Sequence, residues 1–387
     1  MFDIYNNSSY DVNGEKISKY INSMKAPYTI LRDRICNSDF HKKQYDALNI
    51  FVSIDSLMTK LSGMYNFPEM VAISPDLDKR LIANLLNLAH HYDAYQQIEE
   101  IPQNVILYAT DFYSTEFPQY KYVEDYRSHF INKFTTNPKY IPFTEILVNK
   151  VYPVILPIIK LIPNVYFVIG KNIEGSLIPK IVASQMKGCF NVIYTNDLFD
   201  STYWFEKDFL TILALQAPED IKVRRYYTNP LDYFVTRKML PYDSLSDAFY
   251  KQKDMVNIYR YKGAYLSFLA STPNKERSLE GVKGLGAYTV SQHFLRSIEN
   301  SKITKIVSNP ELICSTLTNY SDEAKKEFKN NYYCYDINQM ISELTKSDID
   351  SISEQMETKL DMVKLRNELA KLSSSKYPIL LKYLNGV

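Results

Sequence analysis

The chain has 387 residues, 45% of them apolar, with Lys+Arg 45 against Asp+Glu 44 and a formal net charge of +1. That length accommodates roughly two or three domain-sized units and buries a core without disulfide or metal staples. The near-zero charge excludes polyanion binding driven by net charge alone, so any contact with nucleic acid needs a local basic face.

Cys36, Cys189, Cys314 and Cys334 show no CxxC spacing, which argues against a zinc knuckle and fits a reducing compartment. His90 and His91 are adjacent, so on a helix they point in different directions and read as boundary residues rather than ligands. The N-terminus is polar and lacks a signal-peptide core. The longest apolar stretch, Val151 to Val168, is broken by Pro153, Lys160 and Pro163 and reads as too interrupted to span a bilayer. The expectation is a cytoplasmic protein with no membrane association. Tyr 33 against Gly 10, with abundant Lys, Asn and Ile, points to AT-rich coding DNA of a phage, virus or bacterium, in which case host cytoplasm or virion is the expected place.

In chain order, residues 1–47 form a polar and aromatic N-terminal extension with a short helical stretch near Glu15 to Met24. Asn49 to Ile54 reads as a buried strand, Asp78 to His91 as an amphipathic helix carrying Leu81, Leu85 and Leu86, and Asn104 to Ala109 as a second strand. Thr144 to Leu161 reads as a helix kinked by Pro153 and Pro157. Val165 to Ile169 is a third strand, Gly175 to Lys187 a helix, and Asn191 to Tyr194 a fourth strand. Strands alternating with helices predict an α/β fold, a parallel sheet with helices on both faces. The pattern turns helical from Ser244 onward. The organisation expected is an extension (1–47), an α/β core (48–240), a hairpin-bearing helical subdomain (241–309) and a helical C-terminal region (310–387).

Ligands of such sheets sit at the carboxyl ends of the strands. Asp55, Asp111 and Asp197 each fall just past a predicted strand end. A second signal is Gly281-Val282-Lys283-Gly284-Leu285-Gly286, opening into a helix expected to run to about Glu299. Glycines allow close backbone approach, and the helix start points N–H groups outward, so Gly281, Lys283, Gly284, Gly286 and Thr289 form a candidate phosphate seat. By glycine count alone, a packing corner between two helices is an equal reading. Arg224 and Arg225 beside Tyr226 and Tyr227 read as a chance association, and Trp204 as a core residue.

The hairpin resembles the helix–hairpin–helix of the flap endonuclease and 5′–3′ exonuclease family, and family-like elements precede it in order. Ile50 to Asp55 resembles the first strand with its metal-binding Asp, and Ile106 to Asp111 the second. Phe117-Pro118-Gln119-Tyr120-Lys121, followed by Tyr126-Arg127, resembles the Tyr-Lys and downstream arginine that contact the scissile phosphate. Gly170 to Ile178, containing Glu174, sits where the family has Glu-Ala-Asp-Asp, and Val192 to Phe199, containing Asp197, where it has an acidic strand end. The resemblance spans about Asn49 to Asn300. It implies a 5′-nuclease (PIN-like) fold that binds DNA, a site built on Asp55, Asp111, Glu174 and Asp197 with Lys121 as a catalytic cation and Arg127 as a DNA contact, Mg²⁺ or Mn²⁺ at the acids and K⁺ at the hairpin.

The departures from the family pattern reshape that expectation. Ser176 and Leu177 replace paired aspartates, and Phe199 replaces the second strand-end acid, with Asp200 one residue later. Asn274 and Arg277 stand where the family has further acids. A guanidinium at a ligand position repels a cation and pairs with the remaining carboxylates. The expectation is at most one well-formed metal site, with DNA binding at branched or 5′-ended DNA in replication or repair and hydrolysis weak or lost. The alternative is an inactive relative serving as a structural or protein-interaction subunit beside other replication or virion proteins.

Overall fold

Apolar runs alternating with helical patterns produce an α/β fold with a six-stranded, mostly parallel sheet. The computed structural model describes residues 25–38, 40, 44–55, 77–93, 101–217, 219–220, 223–237, 258–286, 289–290 and 309–372. In chain order come α1 (Tyr28–Cys36), β1 (Ala47–Ser53), α2 (Leu77–Asp93), β2 (Gln103–Thr110), α3 (Ser128–Thr135) and α4 (Ile141–Ile159). Then follow β3 (Val165–Gly170), α5 (Ile178–Gln185), β4 (Cys189–Thr195), β5 (Phe209–Gln216), β6 (Arg224–Tyr227), α6 (Pro230–Thr236) and α7 (Lys262–Ser271). The C-terminal part is helical throughout its described length: α8 (Pro310–Thr316), α9 (Asp322–Tyr335), α10 (Ile337–Ser342), α11 (Lys346–Gln355) and α12 (Met362–Lys371). The helix expected near Glu15 to Met24 lies outside the described residues, as does most of the helix expected after the glycine hairpin.

The chain divides into two units, each discontinuous in sequence: Met1–Ser114 with Ile131–Tyr194 and Lys346–Val387, and Thr115–Phe130 with Thr195–Thr345. The first holds parallel strands in the order β3-β2-β1-β4. Every residue of β2 is buried, as a central strand covered on both faces requires. Three asparagines at one level fix the register. Asn104 Nδ2 donates to Asn49 Oδ1 and Asn49 Nδ2 to Asn191 Oδ1, each at 2.9 Å. A one-residue slip of any of these strands turns its amide to the other face and orphans the rest, so buried polarity selects a single pairing.

Helix α4 is long and apolar enough, by length and composition, to cross a membrane. It packs on α2 and β3, with Ile155 and Ile158 buried and Val154 exposed. Upstream of Pro153 the helix contains a π turn at Leu147–Val151, where Tyr152 N–H reaches Leu147 O. Pro153 has no N–H to give to the turn behind it. The wider turn directly upstream absorbs that mismatch, and the helix continues. At the sheet edge, the Gln355 carboxamide of α11 pairs with both backbone groups of Ile169 in β3, accepting from its N–H at 2.8 Å and donating to its carbonyl at 3.1 Å.

In the second unit β5 and β6 pair antiparallel, with Leu213 opposite Tyr227 and Gln216 opposite Arg224. The expected parallel sheet is thus borne out as a mostly parallel one, with an antiparallel pair at one edge. Arg224 to Tyr227 is a strand, fixed by its partner rather than by its own pattern. An aromatic core surrounds α7, which is buried over Gly263 to Ser271. The Phe234 ring stacks on Tyr259 at 4.0 Å, and Trp204 donates its indole N–H to Thr211 O at 3.0 Å. Core packing is thus the role of Trp204.

Candidate functional site

In the first unit, β1 and β2 run parallel and in register, so Asp55 and Asp111 emerge at the same end of neighbouring strands. Asp55 accepts two hydrogen bonds from Thr110 with different oxygens: Oδ1 accepts the backbone N–H at 2.9 Å and Oδ2 the hydroxyl at 2.5 Å. The same Thr110 hydroxyl oxygen accepts Gly175 N–H at 2.8 Å. One buried threonine thereby ties two strand ends to the turn that carries Glu174. Residue 175 is constrained to be small, because a Cβ there would stand 3.2 Å from Asp55 Oδ2 and from Thr110 N. Glu174 is fully buried immediately before it. Asp111 accepts Tyr113 N–H at 3.0 Å, and its own N–H donates to Gly170 O at 3.1 Å.

Tyr152 completes this group. It is buried, and its hydroxyl has no hydrogen-bond partner. Burial, then the negative charges of Asp55 and Asp111, push its phenol far above the usual tyrosine range. Among the described residues, no group of three or more His, Cys, Asp or Glu side chains is arranged to hold a metal ion. The two carboxylates nevertheless offer oxygen donors of the kind a hard ion takes.

The second unit holds Asp197, two residues past the end of β4, in a different environment. Arg277 grips it through two bonds, Nη1 to Oδ1 at 3.1 Å and Nη2 to Oδ2 at 2.8 Å. The Arg277 side chain is 3% exposed and that of Asp197 25%. The guanidinium lies 4.3 Å from the Phe199 ring centre, a cation–π contact from the residue that stands in for an acid. Burial alone would push the Asp197 carboxyl up. The charge and hydrogen bonds of Arg277, with Phe199 N–H and Arg127, more than offset it, so Asp197 sits below the usual carboxylate range. Asn274 Oδ1 receives Arg277 N–H at 3.2 Å, and Arg127 N–H donates to Arg277 O at 3.0 Å. Asp200, one residue after Phe199, is turned into the interior. It is 2% exposed, and one of its oxygens accepts the Thr195 hydroxyl at 2.7 Å.

Lys121 is exposed, and its ammonium donates to both oxygens of Glu343 at 2.8 Å. Tyr122 OH and Gln339 Nε2 donate to the same carboxylate at 3.0 and 2.9 Å. Arg127 is buried with φ +58°, its guanidinium 4.3 Å over the Phe130 ring. In the glycine hairpin, Val282 and Leu285 are buried anchors, while Lys283, Gly284 and Gly286 are exposed. Gly281 and Gly284 have φ of +77° and +81°, which favours glycine at both. The Gly284 carbonyl accepts Tyr320 OH at 3.0 Å and the Thr289 hydroxyl at 3.2 Å. The Thr289 hydroxyl is therefore engaged by the hairpin's own backbone.

The structure brings Asp55 and Asp111 together with Thr110, Gly175 and the buried Glu174 in one unit, and Asp197 with Arg277 and Arg127 in the other. Sequence reasoning passed over Thr110, Tyr152 and Glu343. A threonine ending a buried strand next to an Asp carries a usable signal, whereas Tyr152 and Glu343 carry none, since turn geometry and distant packing place them.

No protein-family model and no curated protein matches the sequence. Among solved structures, the chain is similar to a bacteriophage T5 flap endonuclease pseudo-enzyme in a product complex with DNA and metal ions, at 12% identity and a TM-score of 0.46, over 80% of this chain and 98% of that one. It is also similar to T5 5′-exonuclease with divalent zinc bound, at 10% identity and a TM-score of 0.46, over the same shares. Likeness at this level carries no functional argument.

Proposed function

We propose that the chain is a DNA-binding protein of the 5′-nuclease type, acting at branched or 5′-ended DNA, in which metal-dependent phosphodiester hydrolysis is weak or lost. The observation that carries this reading is the bidentate, buried Arg277–Asp197 pair. A guanidinium neutralises the strand-end carboxylate that the family pattern would use for a cation, and it has no open coordination position with which to activate water. Asp55, Asp111 and Glu174 are left to hold a single Mg²⁺ or Mn²⁺. Such an ion, when bound, supplies charge neutralisation at a phosphoryl oxygen. The protein's own part is to seat the duplex backbone on the exposed hairpin residues Lys283, Gly284 and Gly286, with Lys121 as a further phosphate contact once it leaves Glu343.

The neutralised Lys121 favours a second reading, an inactive relative working as an interaction subunit of a replication or virion assembly. A labelled 5′-flap, tested for binding and for cleavage with Mg²⁺ or Mn²⁺, separates the two. Binding with very slow or no cleavage is expected. Rapid Mg²⁺-dependent cleavage, abolished by Asp111→Asn, restores a full enzyme, and no binding at low salt leaves the interaction subunit.

A further inference from the structure

The first unit holds a cavity of about 720 Å³ lined by α4, by β3 and by the segment that joins α11 to α12. Its volume falls in the range of about 300–1,000 Å³ that ligand sites occupy. Leu156, Leu161 and Phe167 give it an apolar lining. Lys160, Lys359 and Lys364 line it as well, all three exposed and none in an ion pair among the described residues. The acids of the lining are Glu357 and Asp361, and Asp361 Oδ1 already accepts Lys364 N–H as the cap of α12. The lining therefore carries a surplus of positive charge beside an apolar surface.

β3 adds a directional feature. Gly170 O accepts Asp111 N–H, so Gly170 turns its backbone toward β2. Ile169 turns its N–H and C=O the opposite way, where the Gln355 carboxamide meets both. Backbone direction alternates along a strand, so Phe167 presents its N–H and C=O on the same side as Ile169. Among the described residues no group outside the strands bonds that pair, and Phe167 lines the cavity. Phe167 is 2% exposed, and a backbone pair without partners in a buried residue costs stability that a strand laid alongside restores.

We propose that this cavity docks an extended acidic peptide segment of a partner protein. One peptide unit of the segment takes Phe167 N–H and C=O, continuing the pairing that the Gln355 carboxamide makes one pleat further on. Its apolar side chains pack on Leu161 and Phe167, and its carboxylates meet Lys160, Lys359 and Lys364. In strand addition of this kind main-chain bonds supply affinity and alternate side chains supply selectivity. Successive side chains of a strand point to opposite faces, so the segment that fits alternates apolar and acidic residues.

The test uses the full chain and a labelled peptide of sequence Val-Glu-Val-Glu-Val, with binding followed by fluorescence anisotropy at low salt. The acidic peptide should bind, and a version with lysines in place of the glutamates should bind about tenfold more weakly or less, because like charges then meet. A version with proline at the centre should lose about tenfold, since it has no N–H to give to the strand. Joint Lys160→Glu and Lys359→Glu substitution should weaken the acidic peptide by about tenfold or more. Saturating peptide should also slow hydrogen exchange at the Phe167 amide. Absence of binding by the acidic peptide overturns the proposal, as does equal binding of the lysine or proline version to wild type, which needs no variant to fold. Glutarate competing as well as the peptide, with Phe167 exchange unchanged, makes this a small-anion site and overturns it too.

Discussion

Replacing Arg277 by Met keeps much of the side chain's length and apolar volume but removes its charge. The substitution deletes two hydrogen bonds to Asp197, at 3.1 and 2.8 Å, and the contact with the Phe199 ring. Breaking a buried ion pair from one side costs roughly 3–5 kcal/mol, because the other charge stays buried and unpaired. Asp197 keeps 25% of its side-chain surface exposed, which places the expected loss near about 3 kcal/mol. The loss must depend on pH with a definite sign. In the native protein the folded Asp197 carboxyl sits below its unfolded value, so its contribution is present above the unfolded pKa and lost as pH falls through the folded one. In the variant, burial goes largely unopposed and the folded pKa rises, so protonation relieves the penalty from a higher pH. The difference between the two proteins should be full at pH 7 and shrink to under about 1 kcal/mol near pH 3, below the unfolded carboxylate range. Urea unfolding of both at pH 7, 5 and 3 measures it, and adding Asp197→Asn to the variant should recover much of the loss. A difference below about 1 kcal/mol at pH 7, or one that is the same at every pH, would refute the view of Arg277 as the built-in counter-ion of Asp197.

Thr110→Val should destabilise the protein by about 2–3 kcal/mol in urea, since it removes the acceptor of Gly175 N–H and the hydroxyl that donates to Asp55 Oδ2, while Thr110→Ser should be nearly neutral. If Val is as stable as Ser, the threonine does not tie the strand ends together. Lys283→Ala should lower the slope of log K against log salt for duplex binding by about 0.9, one phosphate contact. An unchanged slope means the hairpin lysine does not touch DNA. The hydrogen bond from Lys121 and the charge of the same carboxylate keep the lysine firmly protonated and occupied, so Glu343→Gln should tighten DNA binding several-fold at low salt and converge with wild type at high salt. Identical low-salt affinities would remove Lys121 from the DNA-binding surface.

The parallel strands were legible because each is a short apolar run that ends at a polar residue, and that same feature located Asp55, Asp111 and Asp197 at strand ends. β5 and β6 were not. The Leu-Ala content of Phe209 to Gln216 suits helix as well as strand, and Arg224 to Tyr227 has no alternation of its own, so only pairing between them decides. Arg277 was legible as a cation directed at an acid because its place in the hairpin approach matches an acidic position of the resembled family. The partner of Lys121 was not legible, since Glu343 lies 222 residues away in sequence. The prolines of α4 were legible as a break in regular helix, whereas the π turn at Leu147–Val151 upstream of them carries no signal of its own in the sequence.

The carboxamide of Gln355 has a consequence for solubility. β3 forms one border of the sheet, where unpaired backbone groups invite a strand from another molecule. A primary amide can present one N–H and its carbonyl oxygen side by side, the same pair a peptide bond would offer, and Gln355 gives that pair to Ile169 while its nitrogen also donates to Ser351 O at 3.0 Å. Lys359 N–H, donating to Lys160 O at 2.9 Å, holds the following segment beside α4. The Gln355 side chain thus works as a stopper at one position of the border strand, Ile169. A chain cut before Lys346 would keep all of the sheet and lose this stopper, leaving β3 open as a template for assembly into aggregates.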